Sequence, residues 1–352
     1  MSEPIRFGWF IPTSGDTTSF SDPEQAVAPS MELFLRVAQA AEDGGFDYVL
    51  VPVQTACWDA LVTCAMVVAK TERLDALLAA RVGFVAPTVL AKMFSTFDQL
   101  SGGRLRINLI AGGSTSELAA DGMFDGHDDR YEIMDEAVRL MKRVWTERGP
   151  VDHHGKHFRV ERARVRPRPF QQPHPPFYLG GNSAAAMQIA AAHADVQLFW
   201  GDRPEIIAQR IEQLDQLAAT QDRDGPLRYG MRLQVVLGDT EDAAWASAHR
   251  LIDGATELQK RAIATMWDQS VSNARMVELA KEPDHLLGPH LWSGISTVRP
   301  GAGVAVVGDA EQVAATLHQF VAAGCSEFCL SGYPHEETAA QFSGQVMPIL
   351  LN

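Results

Sequence analysis

Short apolar runs rich in β-forming residues alternate with longer helical patterns along almost the whole chain. The predicted strands cover residues 5–11, 48–53, 74–82, 105–111, 176–180, 196–200, 229–236 and 327–330. Most are followed by a stretch whose apolar residues lie three and four apart, the spacing of a helix that buries one face. This alternation predicts an α/β fold, a (β/α)8 TIM barrel with insertions, and an open doubly wound sheet is the second interpretation.

The length of 352 residues is compatible with one barrel or with two smaller domains. No polar linker or abrupt change of composition divides the chain, so we expect one barrel domain over residues 1–352. Two segments are longer than a regular β/α unit. Residues 153–168 contain a turn at Gly155 and predict a hairpin, and the Gly- and Pro-containing segment 253–304 predicts helices with a mobile lid loop.

The formal net charge is −14, from 44 acidic and 30 basic residues, which disfavours nucleic acid and anionic membranes as partners. The N-terminus resembles no signal peptide and no apolar run reaches 18 residues, so we expect a cytoplasmic protein. The four cysteines form no CxxC and no zinc-type cluster, which predicts free thiols and no metal site. An acidic chain that binds anions needs local arginines or helix N-termini to do so.

In such a barrel, functional residues lie at the carboxyl ends of the strands and in the loops that follow. This rule selects Thr13, Ser14, Asp16, Gln54, Cys57, Asn108, Gly112, Gly180 to Ser183, Trp200, Arg232, Gln234, Tyr333 and His335. The aromatic residues among them suit either a wall for a planar cofactor or the protein core. Cys57 precedes a predicted helix whose N-terminus could lower its pKa, or it is a small apolar filler.

The segment YLGGNS, residues 178–183, places two glycines and two helix-capping residues between a strand and a helix. Backbone N–H groups and a hydroxyl can converge there on a phosphate, although a tight turn alone also explains the composition. In the later segment GAGVAVVG, residues 301–308, the glycine spacing does not fit a dinucleotide site.

Arg232 and Gln234 share one face of the predicted strand MRLQVVL. The alternation leaves open whether that face points into the barrel, where Arg232 would need an anion, or toward the helices, where it would need a carboxylate.

A series of segments in order along the chain resembles the alkanesulfonate monooxygenases, two-component flavin enzymes of the bacterial luciferase-like superfamily. These segments are WFIPTSGD, QTACWDA, LSGGRLRINLIAGGS, DGMFDGHDDRYE, YLGGNS, FWGD, MRLQVVL, PHLWSGISTVRPGAG and LSGYPHEE. The resemblance implies a TIM barrel that takes reduced FMN (FMNH2) from a separate NAD(P)H-dependent flavin reductase. With O2, such an enzyme cleaves the C–S bond of an organosulfonate to an aldehyde and sulfite, a desulfonation in sulfur metabolism.

The resemblance also implies roles for individual residues. Arg232, Arg299, Tyr333 and Trp200 would be catalytic; Ser14, Gln234, Cys57 and His335 would contact substrate; Asn108, Tyr131, Gly181, Asn182 and Ser183 would bind FMN. A homodimer or homotetramer is expected on the same basis.

Two positions depart from the family pattern, because Ser14 and Gln234 stand where histidine is usual. Both side chains donate and accept hydrogen bonds without titrating, which favours a hydroxylated sulfonate such as sulfoquinovose. The alternatives are a monooxygenase for simple alkanesulfonates or sulfones and a deazaflavin-dependent oxidoreductase of the same fold. A flavin-binding protein without catalysis and a cofactor-free barrel lyase or hydrolase are less consistent with these residues.

Overall fold

The computed structural model describes residues 4–223, 225–266 and 269–351. Its strands are β1 Arg6–Phe10, β2 Tyr48–Val51, β3 Asp75–Arg81, β4 Leu105–Ile110, β5 Val151–His154, β6 Arg159–Ala163, β7 Phe177–Gly180, β8 Val196–Trp200, β9 Arg228–Leu237, β10 Leu286–Gly288, β11 Leu291–Trp292, β12 Ala305–Gly308 and β13 Glu327–Ser331. Eight parallel strands close into a barrel in the order β1, β2, β3, β4, β7, β8, β9 and β13, with β13 pairing back to β1. The barrel prediction is therefore confirmed.

Helices follow the barrel strands and cover the outside of the sheet. They are α1 Met31–Asp43, α2 Ala60–Val68, α3 Pro87–Ser101, α4 Thr115–Ala120, α5 His127–Thr146, α6 Ala184–His193, α7 Pro204–Ala218, α8 Glu241–Ile252, α9 Glu257–Thr265, α10 Val271–Leu279, α11 Ala310–Ala322, α12 His335–Gln341 and α13 Met347–Leu351. Several begin at a side-chain cap, as at Ser30 and Asp59, whose oxygens accept a backbone N–H of the first turn. None of the described helices is long and apolar enough to cross a membrane.

Alternate residues of each barrel strand pack against the helices and fill the main core. In β9, Met231, Leu233 and Val235 belong to this outer layer. Arg232 and Gln234 therefore lie on the opposite, inward face of the strand. This resolves the choice that the sequence left open.

The amino-terminal half of the barrel interior is filled by a buried polar network. Arg106 pairs with Asp75 at 2.9 Å and donates to Tyr178, while Glu327 accepts from Tyr178 at 2.8 Å and from Arg228 at 2.6 Å. Because these side chains satisfy one another, they close this end of the barrel. We therefore expect a ligand to enter from the carboxyl ends of the strands.

At that carboxyl end β9 no longer pairs with β8 and pairs instead with a further parallel strand, β12. The first half of β9 pairs with β8 up to Trp200 opposite Arg232, and its second half pairs with β12 from Gln234 onward. This strand, which lies inside the segment GAGVAVVG, was not predicted from the sequence. The change of pairing partner falls directly beyond Arg232.

The segment 151–163 forms the predicted hairpin, because β5 and β6 pair in antiparallel register. The segment 253–304 contains α9, α10 and the short antiparallel pair β10 and β11. Within it, Trp292 and Ile295 are buried, whereas α9 has no buried side chain and exposes 79% of Leu258. The weakly packed part of the segment is therefore α9 and not the surroundings of Arg299.

We accordingly expect limited digestion with the non-specific protease proteinase K to cut first within α9 and only later between residues 297 and 303, around Arg299. A helix without buried side chains opens locally at low free energy, whereas the buried residues near Arg299 must unfold with the barrel. Mass spectrometry of the early fragments identifies the cut. A first cleavage between residues 297 and 303 would contradict this prediction.

Candidate active site

An open cleft lies at the carboxyl ends of the barrel strands, with an empty volume of about 1220 Å³. The residues that matter most for its chemistry include Phe10, Gln54, Asn108, Tyr131, Gly181, Asn182, Ser183, Trp200, Arg232, Ser270, Ser272 and Arg299. The barrel strands and the segment 269–302 together supply this lining. The cleft thus brings together eight of the thirteen residues to which the family resemblance gives roles. The other five, which are not among its lining residues, are Ser14, Cys57, Gln234, Tyr333 and His335.

One wall of the cleft is the turn between β7 and α6. Ser183 caps α6, accepting the N–H of Ala186 at 3.1 Å, and Gly181 has φ of +121°, a conformation that favours glycine. A Cβ at Gly181 would lie 3.4 Å from the Tyr131 hydroxyl, so the backbone and this hydroxyl form a close cradle. Burial raises the pKa of Tyr131, which keeps the hydroxyl protonated and able to donate.

Two amide oxygens of this wall have no hydrogen-bond partner among the described residues. They are Oδ1 of Asn108, at the end of β4, and Oδ1 of Asn182, in the turn. Both are buried, and both residues line the cleft. A buried acceptor without a partner is unfavourable, so this wall is built for a ligand that brings donors.

The opposite wall carries two guanidinium groups, Arg232 and Arg299, beside Phe10. The Cζ atoms lie 4.7 Å and 5.6 Å from the centre of the Phe10 ring. Only 5% of Arg232 is exposed, and it donates to neutral oxygens alone, those of Leu233 at 2.7 Å, Cys329 at 3.4 Å and Ser331 at 2.9 Å. Among the described residues, neither arginine forms an ion pair with a carboxylate.

Burial lowers the pKa of Arg232, and the nearby Arg299 adds to this effect. Arginine nevertheless stays charged in proteins, so Arg232 and Arg299 are two close cations without a carboxylate partner among the described residues. The carboxylate of Glu117 also lines the cleft, but it is paired with Arg81 at 2.7 Å. Burying a charge is unfavourable unless it is paired. An anion bound between Arg232 and Arg299 would relieve both the desolvation and the mutual repulsion.

Tyr333 and Trp200 lie near this pair. Trp200 is the register partner of Arg232 across β8 and β9 and lines the cleft. Burial raises the pKa of Tyr333, and the hydrogen-bonded Arg299 acts against that rise. The Tyr333 ring packs edge-on against His335, with centroids 4.8 Å apart. Tyr333 lines a second cavity and is not among the residues that line the cleft, to which it is connected by its hydrogen bond with Arg299.

His335 and Gln234 are held by contacts within the protein. Asp16 accepts the backbone N–H of His335 and contacts its Nδ1, each at 2.7 Å. Burial would raise the pKa of Asp16, but His335 holds this pKa below its ordinary value. Gln234 is fully buried, and its amide bonds Ala302 and Ser331.

Ser14 is exposed on the loop after β1, and Cys57 is half-buried beside Thr13 and Ser14. Burial raises the pKa of Cys57, although Thr13 and Arg299 oppose the shift. The idea that the helix N-terminus lowers this pKa is therefore wrong, since α2 begins only at Ala60, after its cap Asp59, and desolvation is the larger effect.

Because Cys57 is mainly a protonated thiol at neutral pH, we expect Cys57→Ser to retain turnover within about threefold of the wild type. Serine preserves the small polar group and its hydrogen bonds to Thr13 and Ser14. Steady-state assays and FMN titration of both proteins test this. Abolished turnover with normal FMN affinity would show that the thiol takes part in the reaction.

A buried ion-pair cluster behind Trp200 was not predicted from the sequence. Asp202 is fully buried and binds Arg275 of α10 through both carboxylate oxygens, at 2.8 Å and 2.9 Å, and Arg210 of α7 at 3.0 Å. This cluster fixes α10, whose start supplies Ser272 to the cleft, against the end of β8. In the sequence, Asp202 lies two residues after the predicted strand 196–200, at the end of the segment FWGD.

Comparison with known protein families matches residues 5–327 to the family described as luciferase-like monooxygenase. The match spans most of the chain and includes the barrel strands up to the start of β13. The chain belongs to the luciferase-like monooxygenase family. Members of this family are flavin-dependent enzymes that use reduced FMN or the deazaflavin F420, and its two-component members take reduced flavin from a separate reductase.

Solved structures share this luciferase-like fold at low sequence identity. DmoA from Hyphomicrobium sulfonivorans has a TM-score of 0.80 and 20% identity, covering 99% of this chain and 88% of that chain. EDTA monooxygenase EmoA from Chelativorans sp. BNC1 has a TM-score of 0.77 and 18% identity, covering 99% and 93%. Riboflavin lyase RcaE, solved with modified FMN and riboflavin, has a TM-score of 0.79 and 20% identity, covering 99% and 91%. These likenesses establish the fold.

Proposed function

We propose that this luciferase-like enzyme uses reduced FMN and O2 to cleave the C–S bond of an organosulfonate, giving an aldehyde and sulfite. The observation that carries the proposal is the pair Arg232 and Arg299, two neighbouring cations at the barrel mouth that form no ion pair with a carboxylate of the described residues. A sulfonate has three acceptor oxygens and one negative charge. It therefore suits a site between two guanidinium groups.

Asn108, Tyr131, Gly181, Asn182 and Ser183 would hold FMN on the opposite wall. The N-terminus of α6 and the Ser183 hydroxyl suit the phosphate, and the Tyr131 hydroxyl can donate to it. The unpartnered Oδ1 atoms of Asn108 and Asn182 suit the N–H and hydroxyl donors of a flavin with its ribityl chain. When bound, reduced FMN would supply the electrons that activate O2.

The remaining residues act on the substrate. Arg232 and Arg299 would orient the sulfonate and neutralise negative charge that develops during C–S cleavage. Tyr333, protonated and hydrogen-bonded to Arg299, would donate to an oxygen of the reacting groups. Trp200 and Phe10 would exclude water and form a flat apolar boundary beside the arginines.

For the substrate we propose a hydroxylated sulfonate, with sulfoquinovose as the named candidate. The support comes from polar cleft residues, namely Gln54, Ser270 and Ser272, and no longer from Gln234, whose amide is bonded within the protein. A contact between Ser14 and a sugar hydroxyl remains a prediction. A site with such partners disfavours an analogue without hydroxyls, because buried polar groups are then left unpaired.

The experiment combines the purified protein with FMN, NADH, O2 and a flavin reductase and measures sulfite. Sulfoquinovose should give at least about a hundredfold higher kcat/KM than octanesulfonate, the preference expected when several hydroxyl partners are lost. Equal rates would remove the hydroxylated substrate and leave a monooxygenase for simple alkanesulfonates or sulfones. Tight binding of F420 in place of FMN, without sulfite from any sulfonate, would instead favour the deazaflavin-dependent alternative.

A further inference from the structure

A chain of three buried hydrogen bonds links Arg232 to the loop that carries Arg299. Nη2 of Arg232 donates to Oγ of Ser331 at 2.9 Å, and Oγ of Ser331 donates to Oε1 of Gln234 at 2.5 Å. Nε2 of Gln234 then donates to the carbonyl oxygen of Ala302 at 2.7 Å. The side chains of Gln234 and Ser331 are fully buried, so water does not compete for these bonds.

From this chain we infer that Gln234 and Ser331 are positioning residues, which set the spacing of the two guanidinium groups and thereby the anion that fits between them. The inference rests on the proposed function insofar as the anion is taken to be the substrate sulfonate. In this view Gln234 does not contact the substrate. It acts by holding Arg232, through Ser331, and Ala302 in place.

The donor and acceptor pattern of the chain fixes its direction. Arginine can only donate and a backbone carbonyl can only accept, so a group that both accepts and donates must stand at each intermediate position. Ser331 and Gln234 satisfy this requirement without titrating. The link therefore has one arrangement of protons over the whole range in which the protein is folded.

The far end of the chain holds the segment that carries Arg299. Ala302 and Gly301 line the cleft with Arg299, and the Gln234 backbone N–H donates to the carbonyl of Val304 at 2.9 Å. Gly303 packs so closely on Ser296 that an added Cβ would lie 2.4 Å from its hydroxyl. Loss of the Gln234 amide would release the Ala302 carbonyl and let Arg299 shift relative to Arg232.

A second buried glutamine provides a matched control. Gln197 in β8 is also fully buried and donates from Nε2 to a cleft-lining carbonyl, that of Gly181, at 2.9 Å. The two glutamines thus support opposite walls, Gln197 the proposed FMN turn and Gln234 the arginine loop. Replacement of each by leucine removes one hydrogen bond to a cleft-lining carbonyl, from a different wall in each case. Gln234 also loses the bond from Ser331, whereas Oε1 of Gln197 has no partner among the described residues.

The test measures the Kd of inorganic sulfate by calorimetry at constant ionic strength, the Kd of FMN, the Tm, and the KM and kcat for the sulfonate. Gln234→Leu and Ser331→Ala should each raise the sulfate Kd and the sulfonate KM about tenfold, as expected for weakened hydrogen bonding to a charged group, with the FMN Kd within twofold of wild type. Gln197→Leu should instead raise the FMN Kd and leave the sulfate Kd and the sulfonate KM within about twofold of wild type. The double variant should have a sulfate Kd and a sulfonate KM no higher than those of the more affected single variant, because both changes break the same chain of hydrogen bonds.

Folded variants with unchanged sulfate Kd and KM, or effects that multiply to about a hundredfold in the double variant, would overturn the inference. If Gln234→Leu does not fold, Ser331→Ala alone tests the inference, because it removes only the hydroxyl oxygen that links Arg232 to Gln234. Sulfite release by wild type with no effect of either change sinks the inference and keeps the proposed function. If sulfate binding depends on Gln234 but the protein releases no sulfite, the inference is supported and the proposed function is contradicted.

Discussion

Arg232→Met should reduce kcat/KM for the sulfonate by roughly 30- to 4000-fold, the range that corresponds to about 2 to 5 kcal/mol for a buried charged partner of an anion. The same variant should keep or raise its Tm. In the ligand-free protein Arg232 is a desolvated cation whose acceptors are all neutral, so its removal relieves an unfavourable burial. Methionine fills much of the vacated volume.

Arg228→Met is the matched control, because Arg228 lies four residues earlier on the same strand, β9, and pairs with Glu327 at 2.6 Å. Glu327 is fully buried, so this change leaves a carboxylate short of its cationic partner. We expect a lowered Tm and a nearly unchanged KM. Wild-type kcat/KM in Arg232→Met, or a large fall of its Tm, would contradict the assignment of Arg232 to the anion.

The eight barrel strands could be predicted from the sequence, each within about two residues at either end, because apolar runs alternate with helical periods throughout. The strand β12 was missed, since Ala305–Gly308 is short and glycine-rich and forms only where β9 changes its pairing partner. That pairing depends on contacts between residues about 70 positions apart. Local sequence carries no periodic trace of it.

For the site, strand ends pointed to most of the cleft, but the alternation in β9 could not say which face points inward. Packing of Met231 and Leu233 against the helices decides that question. The environment of Cys57 also depended on tertiary burial, which reversed the expected direction of its pKa shift. Gln234 was recognised as unusual, yet its partners Ser331 and Ala302 follow only from the folded chain.

Asp202→Asn should destabilise the protein by about 3 to 5 kcal/mol at pH 7, the usual effect of removing one partner of a buried ion pair. The change leaves Arg210 and Arg275 without their shared carboxylate. It also loosens α10, so FMN and sulfonate affinities should fall as well, because Ser270 and Ser272 at the start of α10 line the cleft. Urea unfolding followed by circular dichroism measures the free energy of unfolding.

Glu278→Gln is the control, since it removes the other carboxylate partner of Arg275, at 2.9 Å, from a position that is 66% exposed. An exposed pair contributes about 0 to 1 kcal/mol, so this variant should unfold almost as the wild type does. Similar losses in both variants would show that the buried position of Asp202 does not matter.

The pH dependence of the free energy of unfolding shows whether Asp202 stabilises the protein through its charge or only through packing. Burial would raise the pKa of Asp202, but hydrogen bonds from Arg275 and the Arg203 backbone, with the charge of Arg210, hold this pKa below its ordinary value. A carboxylate with a depressed pKa contributes stability above its unfolded pKa of about 3.9 and loses that contribution as the pH falls through the folded value. The difference between wild type and Asp202→Asn should thus be full at pH 6 to 8 and shrink below about pH 4. A difference that stays constant down to pH 3 would mean that the variant acts through packing and not through the charge of Asp202.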